Sequence, residues 1–402
     1  MVPMTVTHSE GLRYDPYDQT LNADPYPMLA RLREEAPLYY DERYDFYALT
    51  RYDDVSKALV DHRTFSSARG VILELIKADI EIPPGTLVFE DPPVHDIHRK
   101  LVARMFTPRK IAELEDRVRA FCAQSLDPLV GTGHFDFVTD LGAQMPMKTI
   151  SLLLGIPDSD QESIRDHGNE QMKTEAGEPM KLAADGLDAG QMFADYIEWR
   201  ARHPSDDIMT DLLTVEFTDE HGVTRRLTRD ELLMYLNVVA TAGNETSTRL
   251  IGFAGKVLAE HPDQRSQVAA DRSLIPQTIE ELLRFEPPAQ NVGRYVTRDV
   301  EYHGATVPAG SAMLLLTGAA NRDHRQFPPD GDVFDIHREA RAHLAFGVGA
   351  HYCLGSALAR LEGRIALDEI LKRFPEWDVD LTGATLVATA AVRGWDRMPA
   401  RV

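Results

Sequence analysis

The sequence predicts a mainly α-helical fold with a minor β portion. Three observations carry that reading. Apolar residues recur at helical spacing over residues 111–129, 191–202, 277–285 and 354–374. Residues 229–261 form one continuous helical stretch which, at ~1.5 Å per residue, reaches about 50 Å and crosses a whole domain. Strand-like composition is confined to residues 37–50 and 295–316.

In chain order, PLYYDERYDFYALT at 37–50 places aromatic and β-branched residues around a charged turn, the pattern of a short hairpin. The long helix has both ends marked. Thr228 is an N-cap, Glu231 three positions on completes a capping box, and Leu227 and Leu232 are placed as a hydrophobic staple. Pro262 supplies the stop. Its first half, LLMYLNVVATAG, is nearly all apolar, so the helix should be central and buried around a polar insertion, Gly243-Asn244-Glu245-Thr246. The second strand stretch is punctuated by His303-Gly304 and Pro308-Ala309-Gly310.

At ~150 residues per domain, 402 residues would allow two or three domains. No repeat, linker or low-complexity stretch divides them, and one domain over 1–402 is expected. The 64 acidic against 43 basic residues give a net charge of -21, which disfavours nucleic acid as a partner. Only two cysteines, Cys122 and Cys353, are present, so a disulfide framework and a thiol-based zinc site are both excluded. A reducing compartment is the simplest reading. The start, MVPMTVTHSEGLRYDP, lacks a basic region followed by an apolar core. No run reaches the roughly 18 apolar residues of a spanning helix, so a cytoplasmic protein without a membrane span is expected.

The chemistry concentrates around the second cysteine, in HLAFGVGAHYCLGSALAR at 343–360. Gly347, Gly349 and Gly355 let the backbone turn tightly and approach a flat ligand. A sulfur just before a helix N-terminus is expected to be stabilised as thiolate. Phe346-Gly347-Val348-Gly349-Ala350-His351-Tyr352-Cys353-Leu354-Gly355, with Ala359-Arg360 after it, resembles the haem-binding loop of the cytochrome P450 superfamily. The resemblance implies that fold, with the long helix crossing haem b. It makes Cys353 the axial thiolate of the haem iron, places His351 on a haem propionate and packs Phe346 near the sulfur. Such ligation favours O–O cleavage.

The resemblance extends to other segments. Glu281-Leu282-Leu283-Arg284 puts a carboxylate and a guanidinium on one helix face. Alone it reads as a solvated ion pair; in the family such a pair is locked by a third residue, here Arg338 in FDIHRE, as a structural network. Ala242-Gly243-Asn244-Glu245-Thr246 matches the segment of the central helix that faces bound oxygen. Gly243 costs roughly 1 kcal/mol in a helix relative to Ala, which a kink or a close approach of O2 would explain. Thr246 is implied to hydrogen-bond oxygen, and Glu245 to relay protons. The plain alternative has Thr246 bonding back to its own helix and Glu245 pairing with Arg249. DPPVHDIHRK supplies His95 and Arg99 at i and i+4, and NVGRYVTRD supplies Arg294, all implied propionate anchors.

The implied activity is that of a monooxygenase inserting one atom of O2 into a medium-sized lipophile such as a terpenoid, a steroid-like molecule or a fatty-acid derivative. Its pocket walls are implied at 80–89, 171–180, 238–242, 289–292 and 388–392. The chain carries no flavin or nicotinamide fingerprint, so electrons must come from outside it; the resemblance implies a ferredoxin or flavodoxin served by an NAD(P)H reductase. Arg99, Lys100, Arg104, Arg109, Lys110, Arg360 and Arg364 are a candidate basic docking patch for that acidic donor. A monomer is expected. The Glu-Thr pair argues against a peroxide-dependent peroxygenase. It also argues against the alternative of a non-catalytic haem or lipophile carrier or sensor.

Overall fold

The structure is a computed structural model that describes residues 11–402 except 79, 81, 84, 183–190, 340, 390 and 391. Six helices position the site: α1 (Val94–Ala103), α2 (Pro108–Ala112), α3 (Met145–Leu154), α4 (Arg229–Glu260), α5 (Ile275–Phe285) and α6 (Ser356–Arg373). The main buried cluster forms around α4 and takes in Leu233, Leu236, Phe253 and Val257, with Leu361 and Ile365 of α6 packed on it. α4 is the central buried helix that its apolar first half predicts. Its Thr228–Glu231 capping box is formed, with Thr228 N donating to Glu231 Oε2 at 2.7 Å and Glu231 N to Thr228 Oγ1 at 3.2 Å. Leu227 and Leu232 are both buried in the same cluster. Pro262 opens the next helix, Pro262–Ala270, after the chain leaves α4 at His261.

The β portion is small. Strands β1 (Leu38–Asp41), β2 (Phe46–Leu49), β3 (Phe65–Ser66), β4 (Val292–Val296) and β5 (Ala312–Leu315) form one sheet in the order β1-β2-β5-β4-β3. β1 and β2 are the expected hairpin, with Leu38 opposite Leu49. β5 runs parallel to β2 and antiparallel to β4, and Met313 sits between Tyr47 and Arg294. The sheet thereby fixes Arg294 in a buried strand. Between β4 and β5, Val300–Tyr302 and Ala305–Val307 pair as a hairpin whose turn residues His303 and Gly304 both take positive φ, at 51° and 80°.

One helical expectation fails in detail. Residues 111–129 are not a single helix. α2 ends at Ala112, the chain turns at Glu113–Leu114, and a second helix runs Glu115–Leu126. The break lets Ile111 and Val118 both reach the core, each from its own helix. No helix among the described residues is long and apolar enough to cross a membrane.

Candidate active site

The loop before α6 turns on glycines. Gly347 and Gly349 adopt φ of 65° and 77°, where side chains are strained, and a Cβ on Gly349 would come within 2.9 Å of Val60 Cγ1. Cys353 N donates to Phe346 O at 2.8 Å, closing the loop on itself. α6 starts at Ser356 with Gly355 as N-cap. Desolvation pushes the half-buried Cys353 thiol up, while the Gly355 N–H at that helix end favours the thiolate, as do the charges of Arg99 and Arg360.

Beside the cysteine, four nitrogen-bearing side chains converge from α1, β4 and the loop. The rings of His95 and His351 lie 4.2 Å apart, and His351 Nε2 is 3.3 Å from Ser67 Oγ. Arg99 Nη2 donates to Tyr352 O at 2.5 Å, and Arg294 Nη1 to its neighbour Gly293 O at 2.8 Å. Among the described residues neither arginine has a carboxylate within ion-pair distance, and the buried His95 Nε2 has no hydrogen-bond partner. Burial, then the nearby His95, Arg294 and Arg99, press the His351 imidazole down to about 3; burial brings Arg294 down to about 10. Burying this much like charge without a partner is costly unless an anion joins it. A ligand with two carboxylates fits here.

α4 passes on the other side. Ala242 is exposed mid-helix, between half-buried Thr241 and Gly243, so this face of α4 is left open rather than packed. Thr246 Oγ1 donates to Ala242 O at 3.0 Å, the back-bonded geometry. Glu245 is buried with its Oε1 3.3 Å from Arg249 Nη2, and Arg249 also binds Trp395 O and Asp396. Burial pushes the Glu245 carboxyl up, with Arg249 opposing. α4 continues through Gly243 without a break, and a Cβ there would meet Ile150 Cδ1 of α3 at 2.8 Å. Close helix–helix approach therefore favours the glycine.

The scaffold pair is as expected. Arg284 donates from Nε and Nη2 to the two oxygens of Glu281, each at 2.7 Å, and Arg338 Nε reaches Glu281 Oε1 at 3.2 Å. Arg284 also caps the carbonyls of Asn321, Gly331 and Val333, stitching α5 to the segment that leads into the cysteine loop.

With this geometry in place, comparison with known proteins decides the lineage. Residues 188–382 match the family model for cytochrome P450. A putative cytochrome P450 123 of Mycobacterium tuberculosis is 38% identical over 393 residues, covering 96% of each chain. The chain belongs to the cytochrome P450 family. A vitamin D(3) 25-hydroxylase of Pseudonocardia autotrophica is 36% identical over 402 residues, covering 98% of each chain. The crystal structure of CYP109E1 from Bacillus megaterium in complex with testosterone superimposes with a TM-score of 0.84 at 28% identity, over 95% of this chain and 98% of that one. This cytochrome P450 is therefore a monooxygenase of the bacterial type that uses haem b, with NAD(P)H serving it through redox partners. The cationic cluster beside Cys353 suits the two propionates of that cofactor, and the exposed face at Ala242 leaves room over it.

Three features of the P450 site escaped the sequence reading. Ser67 touches His351 across 284 positions, and no local spacing announces it. Glu362 is buried against Ser247, and its one signal is a carboxylate inside the apolar stripe Leu358, Leu361, Ile365. Glu280 binds Arg360 through Oε1 at 2.6 Å and was overshadowed by its neighbour Glu281. Within the implied pocket walls, positions 81, 84, 390 and 391 lie outside the described residues, as do the side chains at 171 and 172.

Proposed function

We propose that Cys353 would supply its thiolate to the iron of haem b in an enzyme that hydroxylates medium-sized lipophiles, the whole chain acting as one domain. The observation that carries this reading is the convergence of His95, Arg99, Arg294 and His351 beside Cys353, where among the described residues neither arginine has a carboxylate within ion-pair distance. When bound, haem supplies the redox chemistry that activates O2, with thiolate ligation favouring O–O cleavage.

The chain's own residues orient, shield and deliver protons. His95, Arg99, Arg294 and His351 hold the propionates by charge-assisted bonds. Phe346 and Gly347 shape the loop around the sulfur, and Ala242 and Gly243 set how closely α4 approaches the cofactor. Thr246 offers its hydroxyl to the oxygen site once it turns from Ala242 O, and Glu245 supplies protons once its carboxyl leaves Arg249. The Glu281–Arg284–Arg338 network keeps the loop scaffold in shape.

Substrate class rests on apolar surface. Val238, Val239, Ala242 and Val292 are all at least partly accessible. A relative named for vitamin D(3) hydroxylation and a neighbour holding testosterone support a steroid-like or similarly sized lipophile. For the electron donor, Lys100, Arg104, Arg109, Lys110 and Arg364 are exposed, and packing of α2 against α6 brings Arg109 and Lys110 near Arg364. Arg99 and Arg360 turn inward and leave that patch. An acidic ferredoxin or flavodoxin matches what remains.

The test is spectral and kinetic. The reduced protein with CO should show the thiolate-type Soret band; an imidazole-type band rejects Cys353 as ligand. Thr246→Ala should uncouple NADH consumption from product. Charge reversal at Arg104 and Arg109 should weaken ferredoxin-supported turnover and flatten its salt dependence.

A further inference from the structure

A polar clamp sits behind the cysteine loop and ties it to α5 and α6. Arg360, one and a half turns into α6, donates from Nε to Glu280 Oε1 at 2.6 Å and from Nη2 to Glu280 Oε2 at 2.9 Å. Its guanidinium lies over the Phe346 ring, 4.5 Å from the centroid, and Nη1 reaches Tyr352 Oη at 3.1 Å. Phe346 and Tyr352 meet edge to face with centroids 6.3 Å apart. One side chain thus grips the loop at both ends, at the residue whose carbonyl receives the Cys353 N–H and at the residue just before the cysteine. Glu280 is shared with His343, whose Nε2 is 3.2 Å away and whose ring packs 5.9 Å from Phe346.

We infer that the Glu280–Arg360 pair is a positioning and tuning element for the Cys353 sulfur: the stack fixes the loop, and the balance of the two charges sets the reduction potential of the bound haem. Reduction adds one electron from the external donor and no proton, taking the iron–porphyrin–thiolate unit from neutral to negative. A nearby cation stabilises the reduced form and a nearby anion destabilises it. Arg360 lies against Phe346 and Tyr352, the residues that bracket the Cys353 turn, so its charge stands close to the sulfur. Glu280 offsets that charge, and both groups are part-exposed, so solvent screens the effect without abolishing it. The inference rests on Cys353 as the haem ligand, and the band of the reduced CO complex reads that ligation separately from the potential.

The experiment is spectroelectrochemical titration of the holoenzyme. Arg360→Gln leaves Glu280 with His343 alone and should lower the midpoint potential. Glu280→Gln leaves Arg360 uncompensated and should raise it. The double variant should return close to the unmodified value. Arg360→Lys keeps the charge but loses the flat stack and the fork. It should hold the potential while its thiolate-type CO band decays faster. Shifts of Arg360→Gln and Glu280→Gln in the same direction, or no shift in either, would overturn the tuning role. A decay rate in Arg360→Lys equal to the unmodified protein would overturn the positioning role. An imidazole-type CO band in the unmodified protein would instead reject the ligand assignment on which both depend.

Discussion

Ser247 Oγ donates to Glu362 Oε2 at 2.5 Å, joining α4 to α6 at a point sealed from solvent. Glu362 is 1% exposed and its Oε1 has no hydrogen-bond partner. Burial raises this carboxyl from 4.5 to about 8, with the hydroxyls of Ser247 and Thr149 opposing only weakly. The folded protein therefore holds a proton that the unfolded chain has released. Its contribution to stability is complete below about pH 4.5 and is lost progressively as pH rises to about 8. Glu362→Gln removes this dependence. Thermal unfolding of the holoenzyme between about pH 6 and about pH 8 should show a shallower decline in the variant than in the unmodified protein. Parallel declines would show that Glu362 is not the titrating group.

The contact of Gly243 with Ile150 predicts a change of sign. Gly243→Ala gains roughly 1 kcal/mol of helix propensity but forces Ile150 aside, at a cost of about 1–3 kcal/mol. A net loss of stability is expected. In an Ile150→Ala background the same substitution should stabilise, because the space is open. Chemical denaturation of the four proteins of this cycle checks it, and a loss of equal size in both backgrounds would refute the packing explanation.

Arg284 makes two bonds to Glu281 and three to backbone carbonyls, all buried but the one to Val333 O. Removing one partner of such a pair costs about 3–5 kcal/mol, since it strands the other. Arg284→Ala should therefore yield little haem-loaded protein and a sharply lowered urea midpoint. A midpoint within about 1 kcal/mol of the unmodified protein would mean the network is dispensable.

For the anchors, each charge-assisted bond to a propionate is worth about 1.5–3 kcal/mol. Arg294→Gln should therefore speed haem loss to an acceptor such as apomyoglobin by roughly 10- to 100-fold, with the thiolate-type CO band intact. Unchanged transfer would remove Arg294 from the propionate site.

Much of this protein was legible one segment at a time. The Gly-rich cysteine loop, the Thr228–Glu231 cap and the Glu281–Arg284 spacing are local patterns, and the backbone rules that make them recognisable act over a few residues. The 37–50 hairpin and the central helix were legible for the same reason. What local pattern could not say is which neighbour each side chain meets. Helical period places Gly243 and Glu245 on their faces of α4. Only the approach of α3 supplies Ile150 to the first, and only the return of the C-terminal strand brings Trp395 and Asp396 to the arginine that holds the second.

The cysteine count sharpens in the same way. Sequence alone determined that one thiol, Cys353, stands in a loop built to meet a flat ligand, and that Cys122 belongs to a helix. Tertiary structure decided the electrostatics around it. Burial outweighs the helix end at the sulfur, His95, Arg99, Arg294 and His351 are brought together from three distant segments, and Arg360 is turned from the surface onto Phe346. Charges separated by hundreds of positions interact only after packing has set their distance and their dielectric surroundings, and no spacing along the chain encodes either.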